Sequence, residues 1–174
     1  NVVPVYGMGV KDQTAYYAME FVEGETLAQI LRRIEHAAPD AATDFGRKDG
    51  LRYFMTIAEV FAEVAEGLQH AHLKGIIHRD IKPSNLILDR AADPGRGARP
   101  GDSPGRLRIL DFGLAHLEGQ ASLTASGDLV GTVLYMSPEQ AMAKRMSIDH
   151  RTDVYSLGAT LYEALAFQPP FQGK

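Results

Sequence analysis

Residues 75–88 read "GIIHRDIKPSNLIL", a cluster of His, Arg, Asp, Lys and Asn between two apolar runs. Those side chains suit transfer of a phosphoryl group, a reaction that asks little covalent chemistry of a protein. It needs a positioned hydroxyl, a carboxylate to take its proton, and metal to neutralise the phosphates. Asp80 is the candidate carboxylate, and Lys82, two residues on, can reach the transferring phosphate and steady its charge. Asn85 offers an amide oxygen to a hard cation such as Mg²⁺. Asp111, in "LDFG", offers a second oxygen at the end of an expected strand, and Gly113 lets the chain turn beside it. Singly, Asp and Asn are common turn formers. Jointly, the spacing of Asp80, Lys82 and Asn85 is specific.

The elements that must hold these residues are legible on either side. Residues 1–24, rich in β-branched and aromatic side chains, predict two strands around a polar turn at Lys11–Thr14. Thr26 is placed to cap a helix whose Leu27, Ile30, Leu31 and Ile34 form a one-sided apolar stripe. A longer helix is expected from about Tyr53 to Leu73, with Phe54, Ile57, Phe61, Val64, Leu68 and Ala71 on one face and Gly75 as its stop. The charged cluster then forms a loop leading into a short strand at 86–88. "LRILDFGLA" resumes as a strand ending in a turn. A short helix follows Pro138, and a mostly apolar, buried helix covers Asp153–Ala166, with Asp153 a candidate N-cap. Residues 90–106 are rich in Pro, Gly and Arg without apolar periodicity, which predicts a flexible surface insertion.

Composition narrows the alternatives. With 18 basic and 22 acidic residues the net charge is −4, which argues against general nucleic-acid binding. The chain has no cysteine, so disulfides and thiolate zinc sites are excluded and a reducing compartment is acceptable. No run approaches the ~18 apolar residues of a membrane span. His70 and His72 are two apart on a helix and point to different faces, which disfavours a metal site. His78 reads as a packed core histidine with a backbone hydrogen bond, and His36, His116 and His150 belong to no constellation.

"HRDIKPSN" together with "DFG" resembles the catalytic loop and metal-binding motif of protein kinases, specifically the bacterial eukaryotic-like serine/threonine branch. "GTVLYMSPEQ" is similar to the family's substrate-docking loop, with Ser137 in place of an Ala. "DVYSLGATLYEAL" is similar to its buried helix, with Asp153 and Gly158 in matching places. The resemblance implies an α+β, protein-kinase-like fold: residues 1–19 end the small lobe, 20–25 form the hinge, and 26–174 form the large lobe. It implies ATP and Mg²⁺ as cofactors and protein Ser or Thr hydroxyls as acceptors. Asp80 would be the base, Asn85 and Asp111 the metal ligands, and Lys82 and Thr132 the γ-phosphate-side pair. Met19 would be the gatekeeper, the backbones of Glu20 and Val22 would bond adenine, and Ile87 would pack beneath it. Val5, His78 and Phe112 would stack as a regulatory spine, and Asp153 would hold the catalytic loop's backbone from below. Arg79 implies control by phosphorylation at Thr124, Ser126 or Ser122, in that order, with a homodimer phosphorylating itself in trans. A cytoplasmic kinase domain is implied, whose parent is anchored by a membrane segment outside this chain.

The family's Gly-rich phosphate loop, strand lysine and helix glutamate have no counterpart in the sequence, nor do the late helices of the large lobe. A fragment of a longer protein, itself of low activity, is therefore expected. Two other classes compete: a pseudokinase or docking module, and a small-molecule phosphotransferase. Intact Asp80, Asn85 and Asp111 count against the first, and Lys82 combined with "GTVLYMSPE" counts against the second.

Overall fold

Two small antiparallel sheets carry the strands. β1 (Val5–Lys11) and β2 (Thr14–Met19) form a hairpin around the expected turn. β3 (Gly24–Thr26), β4 (Leu86–Asp89) and β5 (Arg106–Ile109) form the second sheet, with β4 in the middle. The chain's first residues run parallel beside β5, where Ile109 N–H donates to the Asn1 carbonyl at 2.7 Å. This computed structural model describes residues 1–12, 14–38, 43, 45–90, 105–112, 133–142 and 148–171. Of the 90–106 insertion, only residues 90, 105 and 106 are described.

Close packing of β3 on β4 depends on Gly24. A Cβ there would sit 2.2 Å from the Leu88 carbonyl oxygen, so any other residue would push the strands apart. Helix α1 (Leu27–Glu35) starts directly after β3 with a reciprocal cap. The Thr26 hydroxyl accepts from Gln29 N–H, and Gln29 Oε1 accepts from Thr26 N–H. Leu27, Ile30, Leu31 and Ile34 are buried, as the stripe predicts.

Helix α2 (Leu51–His72) begins two residues before the expected start. Tyr53, not Phe54, opens its buried face. Tyr53 is fully buried, whereas Phe54 is 42% exposed. Positions 53, 57, 60 and 64 keep one face on the 3.6-residue period, and position 54 lies one step off it. The Tyr53 hydroxyl donates to the Ala164 carbonyl, tying α2 to the last helix. Gly75, at φ 74°, turns the chain out of the helix as expected.

α3 (Pro138–Ala141) and α4 (Arg151–Ala166) complete the described elements. α4 corrects the sequence reading in two ways. Its N-cap is His150, so Asp153 lies inside the first turn and is not the cap. It is also only half buried: Val154 is 60% and Tyr162 48% exposed. Its most buried residues are small (Thr152, Asp153, Ser156, Ala159, Thr160, Ala164), and Leu157 and Leu161 beside them pack against the apolar core. The apolar core lies between α1, α2 and the β4–β5 pair.

Candidate active site

The charged cluster becomes a loop because both of its ends are fixed. Ile81 and Leu86 are fully buried, and a 3₁₀ turn at Pro83–Asn85 drops the chain into β4. Ahead of them the loop rests on α4. Asp153, fully buried, accepts from His78 N–H at 2.8 Å, from Arg79 N–H at 2.7 Å, and from His72 at 2.7 Å. Its position is the one implied for holding the loop's backbone from below. His72 and the His150 ring lie 5.6 Å apart beside it, a grouping that linear spacing did not reveal.

Two residues of the site adopt left-handed backbone, Arg79 at φ 68° and Asp111 at φ 61°. Each costs about 1–3 kcal/mol and persists only where surroundings hold it. The turn after β5 therefore starts at Asp111 itself, before Gly113, which lies outside the described residues.

Asp80, Lys82, Asn85 and Asp111 line one cleft of about 670 Å³. Lys82 Nζ lies 2.9 Å from Asp80 Oδ2. The Asn85 amide nitrogen donates to Asp80 Oδ2 at 2.9 Å and to the Asp80 carbonyl at 2.8 Å. That commitment turns Asn85 Oδ1 away from Asp80, where its nearest partner is the Ser84 hydroxyl at 3.5 Å. Asp111 receives the Tyr17 hydroxyl on Oδ1 at 2.6 Å, leaving Oδ2. One amide oxygen and one carboxylate oxygen suit Mg²⁺, which takes one or two protein ligands when phosphate and water supply the rest. The cleft continues past Leu31, Arg32 and Glu35 to Tyr135 and Glu163. Burial pushes the Glu163 carboxyl above its ordinary range, and the Tyr135 hydroxyl donates to it.

His78 bridges the two halves of the site. Its Nε2 pairs with the Leu110 carbonyl at 2.8 Å and its Nδ1 accepts from Asp80 N–H at 3.3 Å. Those partners fit the neutral ring with its proton on Nε2. Burial holds its pKa below the usual histidine value, against the opposing pull of Leu110 and nearby carboxylates. The ring meets Phe112 edge-on at 4.6 Å. Val5, the third residue implied for the stack, is the first residue of β1 and is 40% exposed.

The residues implied for adenine lie elsewhere. Among the described residues, Met19, Glu20, Val22 and Ile87 are not walls of the 670 Å³ cleft. Met19 ends β2, Glu20 and Val22 follow it, and Ile87 is buried in β4 between Thr26 and Arg108. Glu20 N–H donates to the Pro4 carbonyl. Thr132, Thr124, Ser126 and Ser122 lie outside the described residues. Arg79 Nε is buried with no hydrogen-bond partner among the described residues.

Two contributors were missed in the sequence. Tyr17, whose hydroxyl the bond to Asp111 pushes up to about 12, stays a donor at all ordinary pH. Arg108 spans Glu20 at 2.7 Å and Asp89 at 3.0 Å, linking the segment after β2 to the β4–β5 sheet. Its signal was an arginine between two core residues, Leu107 and Ile109.

Known proteins are similar to this chain in sequence and in fold. The protein kinase domain family model matches residues 1–174. The chain is 33% identical over 192 residues to serine/threonine-protein kinase PknD of Protochlamydia amoebophila, covering 98% of this chain and 17% of that protein. It is 34% identical over 178 residues to serine/threonine-protein kinase PknB of Mycobacterium tuberculosis, covering 99% of this chain and 24% of that protein. The crystal structure of a point mutant of the Mycobacterium tuberculosis PknI kinase domain superposes with a TM-score of 0.63 at 24% identity, over 99% of this chain and 52% of that one. That last likeness is one of fold. The chain thus spans about a fifth of the length of the curated relatives it matches. With every residue inside one match, it belongs to the protein kinase family.

Proposed function

We propose that this chain carries the catalytic loop and metal-side turn of a serine/threonine protein kinase, which moves the γ-phosphate of ATP onto protein Ser or Thr hydroxyls. The observation that carries the reading is the convergence of Asp80, Lys82, Asn85 and Asp111 on one cleft, with the Asn85 amide oxygen turned away from its neighbour. Asp80 orients the acceptor hydroxyl and takes its proton as the new oxygen–phosphorus bond forms and the bond to the bridging oxygen of ATP breaks. Lys82, already beside Asp80, offsets negative charge on the transferring group. Asn85 and Asp111 would hold Mg²⁺, which supplies charge neutralisation to the phosphates when bound. Met19, Glu20, Val22 and Ile87 are proposed to receive the adenine, and Thr132 to brace Asp80 and Lys82. Transfer to Ser or Thr is the activity in the names of the relatives.

Regulation is read from Arg79. A buried guanidinium nitrogen without a partner among the described residues suits a phosphate on Thr124, Ser126 or Ser122, which a guanidinium binds with charge-assisted bonds. Residues 1–174 alone are expected to turn over little, because no Gly-rich loop or strand lysine is in the sequence. The deciding experiment is Asp80→Asn in the full-length protein. Mg²⁺–ATP binding should persist while transfer falls about 10²–10⁴-fold. Transfer at the parent rate would overturn the assignment.

A further inference from the structure

Both backbone groups of left-handed Arg79 are held by side chains, and one holder has no role so far. Its N–H donates to Asp153 Oδ1 at 2.7 Å. Its carbonyl accepts from Gln140 Nε2, also at 2.7 Å. Gln140 is the third residue of α3, and its other end is anchored as firmly. Oε1 accepts from Thr152 Oγ1 at 2.7 Å, from Ser137 N–H at 3.1 Å, and lies 3.3 Å from Ser137 Oγ. Ser137 and Thr152 are fully buried, with their hydroxyls 2.6 Å apart.

The protons of this group have one consistent arrangement around Gln140. Thr152 gives its proton to Oε1, Ser137 gives its proton to Thr152, and Ser137 Oγ accepts Gln140 N–H at 3.4 Å. Turning the amide over would set its NH₂ against the Thr152 and Ser137 donors and its oxygen against the Arg79 carbonyl. The orientation is therefore fixed, and so is the carbonyl it holds. That carbonyl shares a rigid peptide plane with Asp80 N–H, which points at His78 Nδ1.

We propose that Gln140 is a positioning residue for phosphoryl transfer. It bolts the peptide preceding Asp80 to the buried Ser137–Thr152 pair, and so sets where the Asp80 carboxylate stands in the cleft. Thr152 is the neighbour of Asp153, so both clamps on Arg79 trace to the first turn of α4. The inference rests on the reading of Asp80 as proton acceptor, and it makes the docking of α3 a requirement for an aligned base.

A competing explanation is that Gln140 only completes the cap of α3. Glutamate serves that cap as well as glutamine does, but it would aim a carboxylate at the Arg79 carbonyl. Gln140→Glu in the full-length protein therefore separates the two. Under the proposal its kcat for a Ser/Thr peptide library falls roughly 10- to 100-fold. The Kd for Mg²⁺–ATP should stay within about twofold of the parent and Tm within about 2 °C. Amide exchange across residues 77–81 should rise while exchange in α4 stays constant. Parental kcat in Gln140→Glu, or unchanged exchange at 77–81, overturns the proposal. Should that variant fail to fold, Thr152→Val removes one anchor of Oε1, and the acceptor of the Ser137 hydroxyl, while leaving every residue of α3 and its cap unchanged. A several-fold loss of kcat then supports the clamp, and parental kcat refutes it. Asp80→Asn run alongside keeps the two readings apart. If it retains turnover, the role of Asp80 fails first. If it is inactive while Gln140→Glu is not, only the clamp fails.

Discussion

Strands β1 (VYGMGVK) and β4 (LILD) both carry large apolar side chains and end in opposite surroundings. In β1, Tyr6 is 71%, Met8 67% and Val10 73% exposed. In β4 all four residues are buried, with Leu86 and Leu88 at 0%. Among the described residues β1 has one strand partner, β2, whereas β4 is flanked by β3 and β5 and backed by α1 and the β5-packed α2. Propensity selects a strand in both places; the number of neighbours decides burial. The chemistry follows the buried strand. Asn85 immediately precedes β4, Asp111 lies two residues beyond β5, and Asp80 sits on the loop that α4 holds. The hairpin reaches that side through the Tyr17 hydroxyl, which donates to Asp111.

If the catalytic side is the anchored one, breaking its deepest anchor should have the largest effect. Asp153→Ala orphans two buried backbone amides and a histidine. At about 1–3 kcal/mol for each of the two orphaned amides, the kinase domain's unfolding transition in the full-length protein should lose at least about 2–6 kcal/mol, with transfer abolished. A loss below about 1 kcal/mol in a denaturant titration would show that the loop holds itself. Next in size is a matched pair. Leu88→Ala should cost about 2–5 kcal/mol by transfer and cavity terms, and Met8→Ala less than about 0.5 kcal/mol, as for other exposed sites. Equal losses would mean that the hairpin is buried in the full-length protein.

How much of this could be read in the sequence follows the same division. The cap and stripe of α1 were legible because Thr26, Gln29 and the four apolar positions lie within nine residues. The grouping of Asp80, Lys82 and Asn85 at one cleft was legible from residue identity alone, since they lie within five positions of one another. What failed was what depends on a distant partner. From its local sequence Asp153 reads only as a cap; the family resemblance, not its spacing, pointed to the backbone of residues 78 and 79 that its carboxylate holds. Phe54 and Tyr53 are neighbouring aromatic residues, and the one that turns inward is Tyr53, whose hydroxyl meets the distant Ala164 carbonyl. Tyr17 and Gln140 meet their targets 94 and 61 residues away, a separation at which no periodicity carries a signal.

A smaller effect should come from the link between the two regions. Arg108→Met releases Glu20 and leaves the nearly buried Asp89 carboxylate without its guanidinium. The Glu20 carboxyl, now held below its ordinary range by that guanidinium, should return toward the usual glutamate value. In the full-length protein Tm should fall by a few degrees, and KM for ATP should rise more than kcat falls, since residues 20–22 are proposed to receive the adenine. A change in kcat alone would place the role of Arg108 on the catalytic side instead.

The smallest effect is a slope. Burial holds the His78 pKa below its ordinary value of 6.5 in the folded state. Between the folded and unfolded pKa values the unfolded chain binds more protons, so stability rises with pH through that window. The neutral ring's contribution is complete above about pH 6.5. It is lost as pH falls toward the folded pKa, by at most about 1.4 kcal/mol per pH unit for one proton. His78→Phe keeps a ring against Phe112 and removes the titration. Its stability should sit lower at pH 7, having lost the Leu110 bond, and should fall less steeply than the parent's toward pH 5. Parallel slopes in the two proteins would mean that water reaches the ring, and with it the junction between the Asp80 loop and the Asp111 turn.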